Sequence, residues 1–332
     1  MGTMDGAAAA VIKFVDGHFV GIAFAAAAGA GLFALRRWAA GGVCRSKARL
    51  DGRTVLVTGA AAGIGRETAV DLAARGARVI VACRDVVEAT LAADDIRRRS
   101  GNANVVVKKL DLASLRSVRR LAREILDTEE RLDVLINNAG VMLCQKLATE
   151  DGFETHFGVN YLGHFLLTNC LLDLVKRSAP SRIINVSSLA HERGHIYFDD
   201  INLDKDFTPQ KAYSQSKLAN VLFSRELSRR LQGTRVSVFC LHPGIVHTEL
   251  SRHVRATLPL WRKILHLPSL LFMKTQREGA QTTIHCAVEK SLENLSGQYF
   301  SDCKPKAVAP QAEDDSAARR LWDLSASMVG LS

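Results

Sequence analysis

The sequence predicts an α/β fold built on a doubly wound parallel sheet, and two patterns indicate it. From residue 51 onward, short apolar runs rich in β-branched residues alternate with longer stretches of helical periodicity. The first apolar run leads at once into a glycine-containing turn and a helix, which is the order of a βαβ unit. Because no linker-like break or internal repeat interrupts residues 51–332, we expect a single domain.

The predicted strands are short apolar runs, and the predicted helices repeat apolar residues at three to four positions. The strands are Arg53–Val57, Arg78–Ala82, Val105–Lys108, Leu132–Ile136, Arg182–Val186 and Arg235–Cys240. The helices that follow them are Gly63–Arg75, Val86–Ser100, Ser114–Thr128, about Phe157–Lys176 and Lys211–Leu231. Since strands and helices alternate, the strands should be parallel, with helices on both faces of the sheet.

Composition and charge limit the classes of protein to which the chain can belong. Of its 332 residues, 47% are hydrophobic, enough for a large core and too many for a disordered chain. The net charge is +10, with +4 in residues 1–50 and +6 in residues 252–277, so the remainder is neutral. This distribution favours anionic lipid headgroups over nucleic acid, for which no motif is present. The seven scattered cysteines predict reduced thiols and no zinc site.

Residues 17–35 predict a transmembrane anchor that follows a short tail, residues 1–16. The segment has no Asp, Glu, Lys or Arg, and as a helix it would span about 28 Å, close to the hydrocarbon core of a bilayer. The basic juxtamembrane segment 36–50 then places residues 51–332 in the cytosol. The alternatives are a buried helix, a mitochondrial presequence, or a signal peptide, whose positive charge would normally precede the apolar run.

The turn after the first strand has the composition of a pyrophosphate cradle. Glycine lets the backbone approach a phosphate closely, and the helix that follows offers unpaired N–H groups. The candidate residues of this turn are Gly59, Ala61, Gly63, Ile64 and Gly65. The predicted fold is therefore Rossmann-like, although its Gly-x3-Gly-x-Gly spacing differs from the common Gly-x-Gly-x-x-Gly.

Further motifs in order resemble the classical short-chain dehydrogenase/reductase family over about residues 50–305. They are Asn137–Gly140, Asn160, Ser187-Ser188, Tyr213-x3-Lys217 and Pro243-Gly244. Other stretches are similar to the membrane-anchored retinol dehydrogenase branch: Thr149–Glu154, Asn160–Phe165, Ser178–Arg182, Leu241–Val246 and Ser296–Phe300. The resemblance implies NADP(H)-dependent interconversion of retinal and retinol, or of similar apolar lipid aldehydes and alcohols. It also agrees with an anchor in the endoplasmic reticulum, with a mitochondrial membrane as the alternative and an oligomer left open.

The predicted proton donor is Tyr213, four residues before Lys217 on one helix face. A phenol with its ordinary pKa of about 10 is a poor base at neutral pH, and a nearby ammonium would lower that pKa. The resemblance implies that Lys217 also binds the nicotinamide ribose and that Ser188 holds the substrate oxygen. It further implies that Asn160 completes a proton relay through water. Taken alone, Tyr-x3-Lys would equally fit a surface pair on a helix.

Cofactor preference depends on the end of the second strand. Cys83 stands where an NAD-selective site needs a carboxylate, and Arg84 follows it. A guanidinium beside an uncharged residue suits a 2′-phosphate, which predicts NADP(H). The alternatives are that Arg84 is only a solvated surface residue, and that Asp85 pairs with it.

Other cofactor contacts are implied by the resemblance. Asp111 resembles the residue that holds the adenine amino group, although a helix N-cap role ahead of Ser114 is the alternative. The remaining implied positions are Asn138, Ala139, Gly140, Pro243, Gly244, Val246 and Thr248.

Residues of about 250–277 resemble the family's substrate lid. The segment is apolar with interleaved Arg and Lys, which suits a lid that lies against a membrane and admits a lipid. An ordinary apolar helix over the core is the alternative. Two other functions compete, namely a steroid or other carbonyl reductase on the same fold and a non-catalytic NADPH-binding scaffold of membranes or lipid droplets. No metal site is predicted, and the histidines are interpreted as structural or surface groups: His156, His164, His191 and His195.

Overall fold

The computed structural model describes residues 21, 23–24, 26–247 and 272–331. Its strands are β1 Thr54–Thr58, β2 Arg78–Cys83, β3 Val105–Lys109, β4 Val134–Asn137, β5 Ser181–Val186, β6 Val236–Leu241, β7 Tyr299–Ser301 and β8 Lys304–Pro305. Its helices are α1 over 26–40, α2 Gly63–Ala74, α3 Val86–Ser100, α4 Leu115–Thr128, α5 Gly163–Arg177, α6 Pro209–Arg230, α7 Gln276–Val288 and α8 Asp315–Met328. A helical turn, Thr155–Phe157, and a π-helical turn, Gly158–Leu162, lead directly into α5.

The strands form one sheet in the order β3-β2-β1-β4-β5-β6-β7-β8. Strands β1 to β7 are parallel, which confirms the predicted doubly wound sheet, whereas β8 pairs antiparallel with β7. The strand order reverses between β1 and β4, where Val55 pairs with Val134. In open α/β sheets, ligands bind outside the carboxyl ends of the strands at such a reversal.

The two faces of the sheet bury two apolar cores. In β1, Leu56 packs toward α4, α5, α6 and α8, while its neighbours Val55 and Val57 pack toward α2, α3 and α7. This alternation follows from the two-residue period of a strand, and it explains why the buried strands are apolar throughout. Both cores share one sheet, which supports the predicted single domain.

Three elements differ from the prediction. The predicted strand Leu132–Ile136 begins only at Val134, and the preceding Asp133 is buried and bonded to Arg53 and Arg131. The predicted helix Phe157–Lys176 is interrupted by the π-helical turn. Helices α7 and α8 lie beyond the elements predicted from periodicity.

The chain before β1 is attached to α7. Arg36, in α1, donates two hydrogen bonds to the Glu278 carboxylate, at 2.7 and 2.8 Å. The Cys44 N–H donates to the Gln281 side chain at 3.1 Å. None of the helices among the described residues is long and apolar enough to cross a membrane. Residues 17–20, 22 and 25 of the predicted anchor lie outside the described residues.

Candidate active site

The predicted site residues within the described ranges lie at the carboxyl edge of the sheet. The glycine turn follows β1, Asn138 follows β4, Ser188 follows β5 and Pro243 follows β6. The parallel strands therefore bring together motifs that are far apart in the sequence, and α6 carries Tyr213 to the same edge.

The glycine turn is built for close approach of backbone to ligand. Gly59 has φ +67°, and a Cβ there would lie 2.9 Å from the Ala139 Cα. A Cβ on Gly65 would lie 2.5 Å from the Gly59 carbonyl oxygen. The N-cap residue of α2, Ala62, makes no side-chain capping bond, so the first N–H groups of this helix lack that partner. These residues fit a dinucleotide pyrophosphate, which needs a bare backbone and unpaired N–H donors.

Thr58, the last residue of β1, holds the loop that follows β4. Its Oγ1 accepts the N–H groups of Asn138 and Ala139, both at 2.9 Å, while the Asn138 Nδ2 donates to the Thr58 carbonyl oxygen at 2.9 Å. The cofactor-facing loop is thereby attached to the glycine turn. The sequence analysis missed Thr58, because one threonine at a strand end has no distinguishing pattern.

The Asn160 side chain connects the loop after β4 to α6. Its Oδ1 accepts the Val141 N–H at 2.7 Å, and its Nδ2 donates to the Val141 carbonyl oxygen at 3.0 Å and to Ser216 Oγ at 2.9 Å. Ser216 Oγ donates in turn to the Tyr213 carbonyl oxygen at 2.8 Å. Both hydrogens of the Asn160 amide are therefore used within the protein, and Ser216 is a second supporting residue that the sequence analysis missed.

The Ser188 side chain lies close enough to the Tyr213 hydroxyl to affect its pKa. Ser188 Oγ accepts the Ala190 N–H at 3.2 Å. Burial raises the pKa of Tyr213, and the Ser188 side chain lowers it only in part. The phenol is therefore protonated at neutral pH, contrary to the expected net lowering of its pKa by an ammonium.

Lys217 shares the helix face of Tyr213, with its Nζ 5.7 Å from the centre of the tyrosine ring. This Nζ donates to the Val186 carbonyl oxygen at 3.0 Å, and it would lie 3.6 Å from a Cβ placed on Gly140. Burial lowers the pKa of Lys217 to about 8, because an ammonium is costly to remove from water. Lys217 is thus a buried amine that is still mainly charged at pH 7.

The end of β2 has no carboxylate aimed at a cofactor ribose. Cys83 is buried there, and the Arg84 that follows it is exposed. Asp85 is the N-cap of α3, and its Oδ1 accepts the N–H groups of Val87 and Glu88 at 2.8 and 3.0 Å. The suggested pairing of Asp85 with Arg84 is therefore wrong, because the helix end takes the carboxylate.

Asp111 does not cap the helix that follows it. The N-cap of α4 is Ser114, whose Oγ accepts the Ser117 N–H at 3.2 Å. Asp111 instead accepts the Ala113 N–H at 3.0 Å and remains half-buried at the end of β3. The N-cap alternative is therefore wrong, and the adenine-contact assignment stays a prediction.

The loop after β6 packs against the glycine turn and α7. A Cβ on Gly279 would lie 2.6 Å from Val246 Cγ2 and 3.3 Å from Ile64 Cγ1, so two predicted cofactor residues are neighbours. Gly244 has φ +87°, and the Lys274 side chain lies directly over it. Thr248 and most of the predicted lid, 250–277, lie outside the described residues.

Lys274 does not fit the prediction that the positive charge of residues 252–277 faces a membrane. It is one of the six basic residues of that segment. In the structure it is buried and paired with the Asp302 carboxylate. Its charge is thus neutralised within the fold, and so is much of the charge of Arg36, which pairs with Glu278.

Comparison with known proteins identifies the family of this chain. The short chain dehydrogenase family pattern matches residues 53–259. The chain is 52% identical to retinol dehydrogenase 12 of Homo sapiens, over 90% of this chain and 92% of that protein. It is 53% identical to retinol dehydrogenase 13 of Mus musculus, over 91% of each.

Solved structures share the fold over most of their length. An uncharacterised protein of Mycobacterium paratuberculosis has a TM-score of 0.71 and 35% identity, covering 87% of this chain and 98% of that one. The NADP complex of Pseudomonas aeruginosa RhlG has a TM-score of 0.61 and 30% identity, covering 76% and 95%. Together with the family match and the curated relatives, these similarities show that the chain belongs to the short-chain dehydrogenase family and is an oxidoreductase.

Proposed function

We propose that this protein is an NADP(H)-dependent oxidoreductase that interconverts retinal and retinol, or similar apolar lipid aldehydes and alcohols. The observation that carries the proposal is the placement of Tyr213 beside Ser188 and buried Lys217, with the Lys217 Nζ 5.7 Å from the centre of the tyrosine ring. The similarity to retinol dehydrogenases 12 and 13, over about nine-tenths of each chain, supports the substrate class.

Each residue has a chemical task in this proposal. NADP(H), when bound, supplies or accepts the hydride, with its pyrophosphate at Gly59–Gly65 and its nicotinamide ribose at Lys217. In the reducing direction, Ser188 donates a hydrogen bond to the carbonyl oxygen and Tyr213 gives that oxygen a proton. The protonated state of the phenol, maintained by burial, suits this donor role.

Lys217 stabilises the charge that proton donation creates. Once Tyr213 has lost its proton, the phenolate is favoured by the nearby ammonium, which is charged below pH 8. The Asn160 side-chain amide is fully engaged within the protein, because its Oδ1 accepts one bond and both of its hydrogens are donated. If Asn160 takes part in a water relay, we propose that it does so through its backbone carbonyl oxygen.

The first test is turnover of all-trans-retinal by the full chain in detergent, with NADPH and with NADH. We expect reduction with NADPH, and a kcat/KM at least about tenfold higher than with NADH, because Arg84 can pair with the 2′-phosphate. A steroid ketone serves as the competing substrate in the same assay. A higher kcat/KM for the steroid would contradict the retinoid assignment, and no turnover of any carbonyl in a broad panel would favour the scaffold function.

Arg84 is the residue on which the cofactor preference depends. Replacing Arg84 by Asp should shift the kcat/KM ratio toward NADH, because a carboxylate repels the 2′-phosphate and accepts bonds from a ribose hydroxyl. Arg98 offers a matched control, since it is an exposed arginine of α3 that pairs with Asp95. If Arg84→Asp leaves the ratio of kcat/KM for NADPH to kcat/KM for NADH unchanged, Arg84 does not determine cofactor preference. The same conclusion would follow if Arg98→Asp shifted this ratio equally.

We also propose that residues 17–35 anchor the protein in the endoplasmic reticulum membrane with the catalytic domain in the cytosol. In support, the described part of α1 exposes large apolar side chains, with Phe33 72% and Trp38 78% exposed. We expect the full chain to remain with the membrane fraction after alkaline carbonate extraction. Release into the supernatant would contradict an integral anchor, and co-fractionation with mitochondria would favour the other membrane.

A further inference from the structure

His164 fills the buried space between the end of β1 and Asn160. Its side chain is 2% exposed, with Nε2 2.8 Å from Thr58 Oγ1 and Nδ1 3.0 Å from the Asn160 carbonyl oxygen. Both ring nitrogens thus contact residues that the site depends on. The sequence analysis interpreted His164 only as a structural or surface group.

The hydrogen-bond network determines which nitrogen carries the proton. Thr58 Oγ1 already accepts two N–H groups, from Asn138 and Ala139, so it meets His164 Nε2 through its hydroxyl hydrogen. That hydrogen has a second acceptor, the Ile136 carbonyl oxygen, but the distance there is 3.4 Å against 2.8 Å to His164 Nε2. Burial lowers the pKa of His164 to about 4, so the imidazole is neutral at physiological pH. Nε2 is therefore the acceptor, and the proton on Nδ1 is donated to the Asn160 carbonyl oxygen.

This bond completes a path between the two halves of the site. Asn160 lies in the π-helical turn, where the Gly163 N–H bonds to the Gly158 carbonyl oxygen five residues back. On one side, His164 joins Asn160 to Thr58 and so to the loop after β4. On the other, the Asn160 amide bonds Ser216, which holds the Tyr213 backbone. The cofactor loop and the proton donor are therefore connected by successive buried hydrogen bonds.

We propose that His164 is a positioning residue for hydride transfer, which acts through the Asn160 carbonyl group to hold the cofactor loop and Tyr213 at their working separation. The proposal rests on the proposed function, because it is tested through turnover. Wild-type turnover with NADPH is measured first. The variants are then compared with the wild type, so that either proposal can fail alone.

Two substitutions separate the two bonds of His164. In His164→Asn, the amide nitrogen can take the place of Nδ1 and still donate to the Asn160 carbonyl oxygen. In His164→Gln, the amide oxygen of the longer side chain can take the place of Nε2 and accept the Thr58 hydroxyl, but the bond to Asn160 is lost. If the bond to Asn160 is the one that matters, kcat should be about tenfold higher for Asn than for Gln, since small misplacements at a reacting centre cost factors of about 10 to 100. The Kd for NADPH should change little in either variant.

A double-mutant cycle tests whether His164 acts through Asn160. Ser216→Ala removes the next bond in the path, and the Ser216 hydroxyl bonds Asn160 and the Tyr213 carbonyl oxygen, not His164. We expect His164→Gln to lower kcat less in the Ser216→Ala background than in the wild type. Both substitutions break the same series of hydrogen bonds, so the second has less left to disrupt. Folding of each variant is checked by circular dichroism.

Three results would overturn the proposal. Equal kcat values for His164→Asn and His164→Gln would show that the bond to Asn160 is not the important one. Additive effects in the cycle would show that His164 does not act through Asn160. Failure of both His164 variants to fold would assign the residue to stability alone.

Discussion

Replacing Tyr213 by Phe should lower kcat for carbonyl reduction by about a thousandfold or more while NADPH still binds. The substitution removes only the hydroxyl group, which lies beside the Ser188 side chain. The ring and its packing remain, so the glycine turn and its unpaired N–H groups should be unaffected. Single-turnover kinetics with all-trans-retinal, together with NADPH fluorescence titration, measures both effects.

Tyr161 offers a matched control for this experiment. Its hydroxyl is also buried, and it bonds the Ser325 Oγ of α8 at 2.7 Å instead of meeting Ser188 or Lys217. Tyr161→Phe should therefore lower stability modestly and leave kcat near the wild-type value. A Tyr213→Phe enzyme that retains activity within tenfold of wild type would contradict the assignment of Tyr213 as proton donor.

Lys217→Met should abolish most turnover and also change how stability depends on pH. The folded protein holds the pKa of Lys217 at about 8, below the ordinary value of 10.5, so the unfolded chain binds more protons between these two pH values. Wild-type stability should therefore rise with pH in that window, as the cost of burying the ammonium disappears. The variant has no such group, so the wild type should gain about 2 kcal/mol relative to it between pH 7 and 10.

Urea unfolding at several pH values measures this difference. Lys211→Met is the control, because Lys211 lies on the same helix but pairs with Asp206 at the surface. Titrations elsewhere in the chain cancel in the comparison of wild type with variant. If the difference in unfolding free energy between wild type and Lys217→Met stays constant with pH, Lys217 is not a buried amine with a lowered pKa.

The sheet and most of its helices could be predicted from the sequence, because between Thr54 and Leu241 short apolar strands alternate regularly with longer helical stretches. The motif residues at the carboxyl edge could be placed for the same reason, since parallel strands align their ends. Helix caps were less predictable. Asp111 and Ser114 both precede α4 and both can cap a helix, so only the backbone geometry decides between them.

The supporting contacts of the site could not be predicted, because they join residues far apart in the chain. The bond from His164 to Thr58 spans 106 positions, and that from Asn160 to Ser216 spans 56. No local period or motif distinguishes a bridging histidine from any other buried histidine. The lowered pKa of Lys217 is likewise a property of its burial, which the four-residue spacing from Tyr213 does not reveal.

The antiparallel strand β8 has a consequence for association between molecules. It ends one side of the sheet with only Lys304 and Pro305, both exposed. Proline has no N–H to offer a further strand, and a lysine charge is expensive to cover. This edge therefore disfavours pairing with a β-strand of a neighbouring molecule.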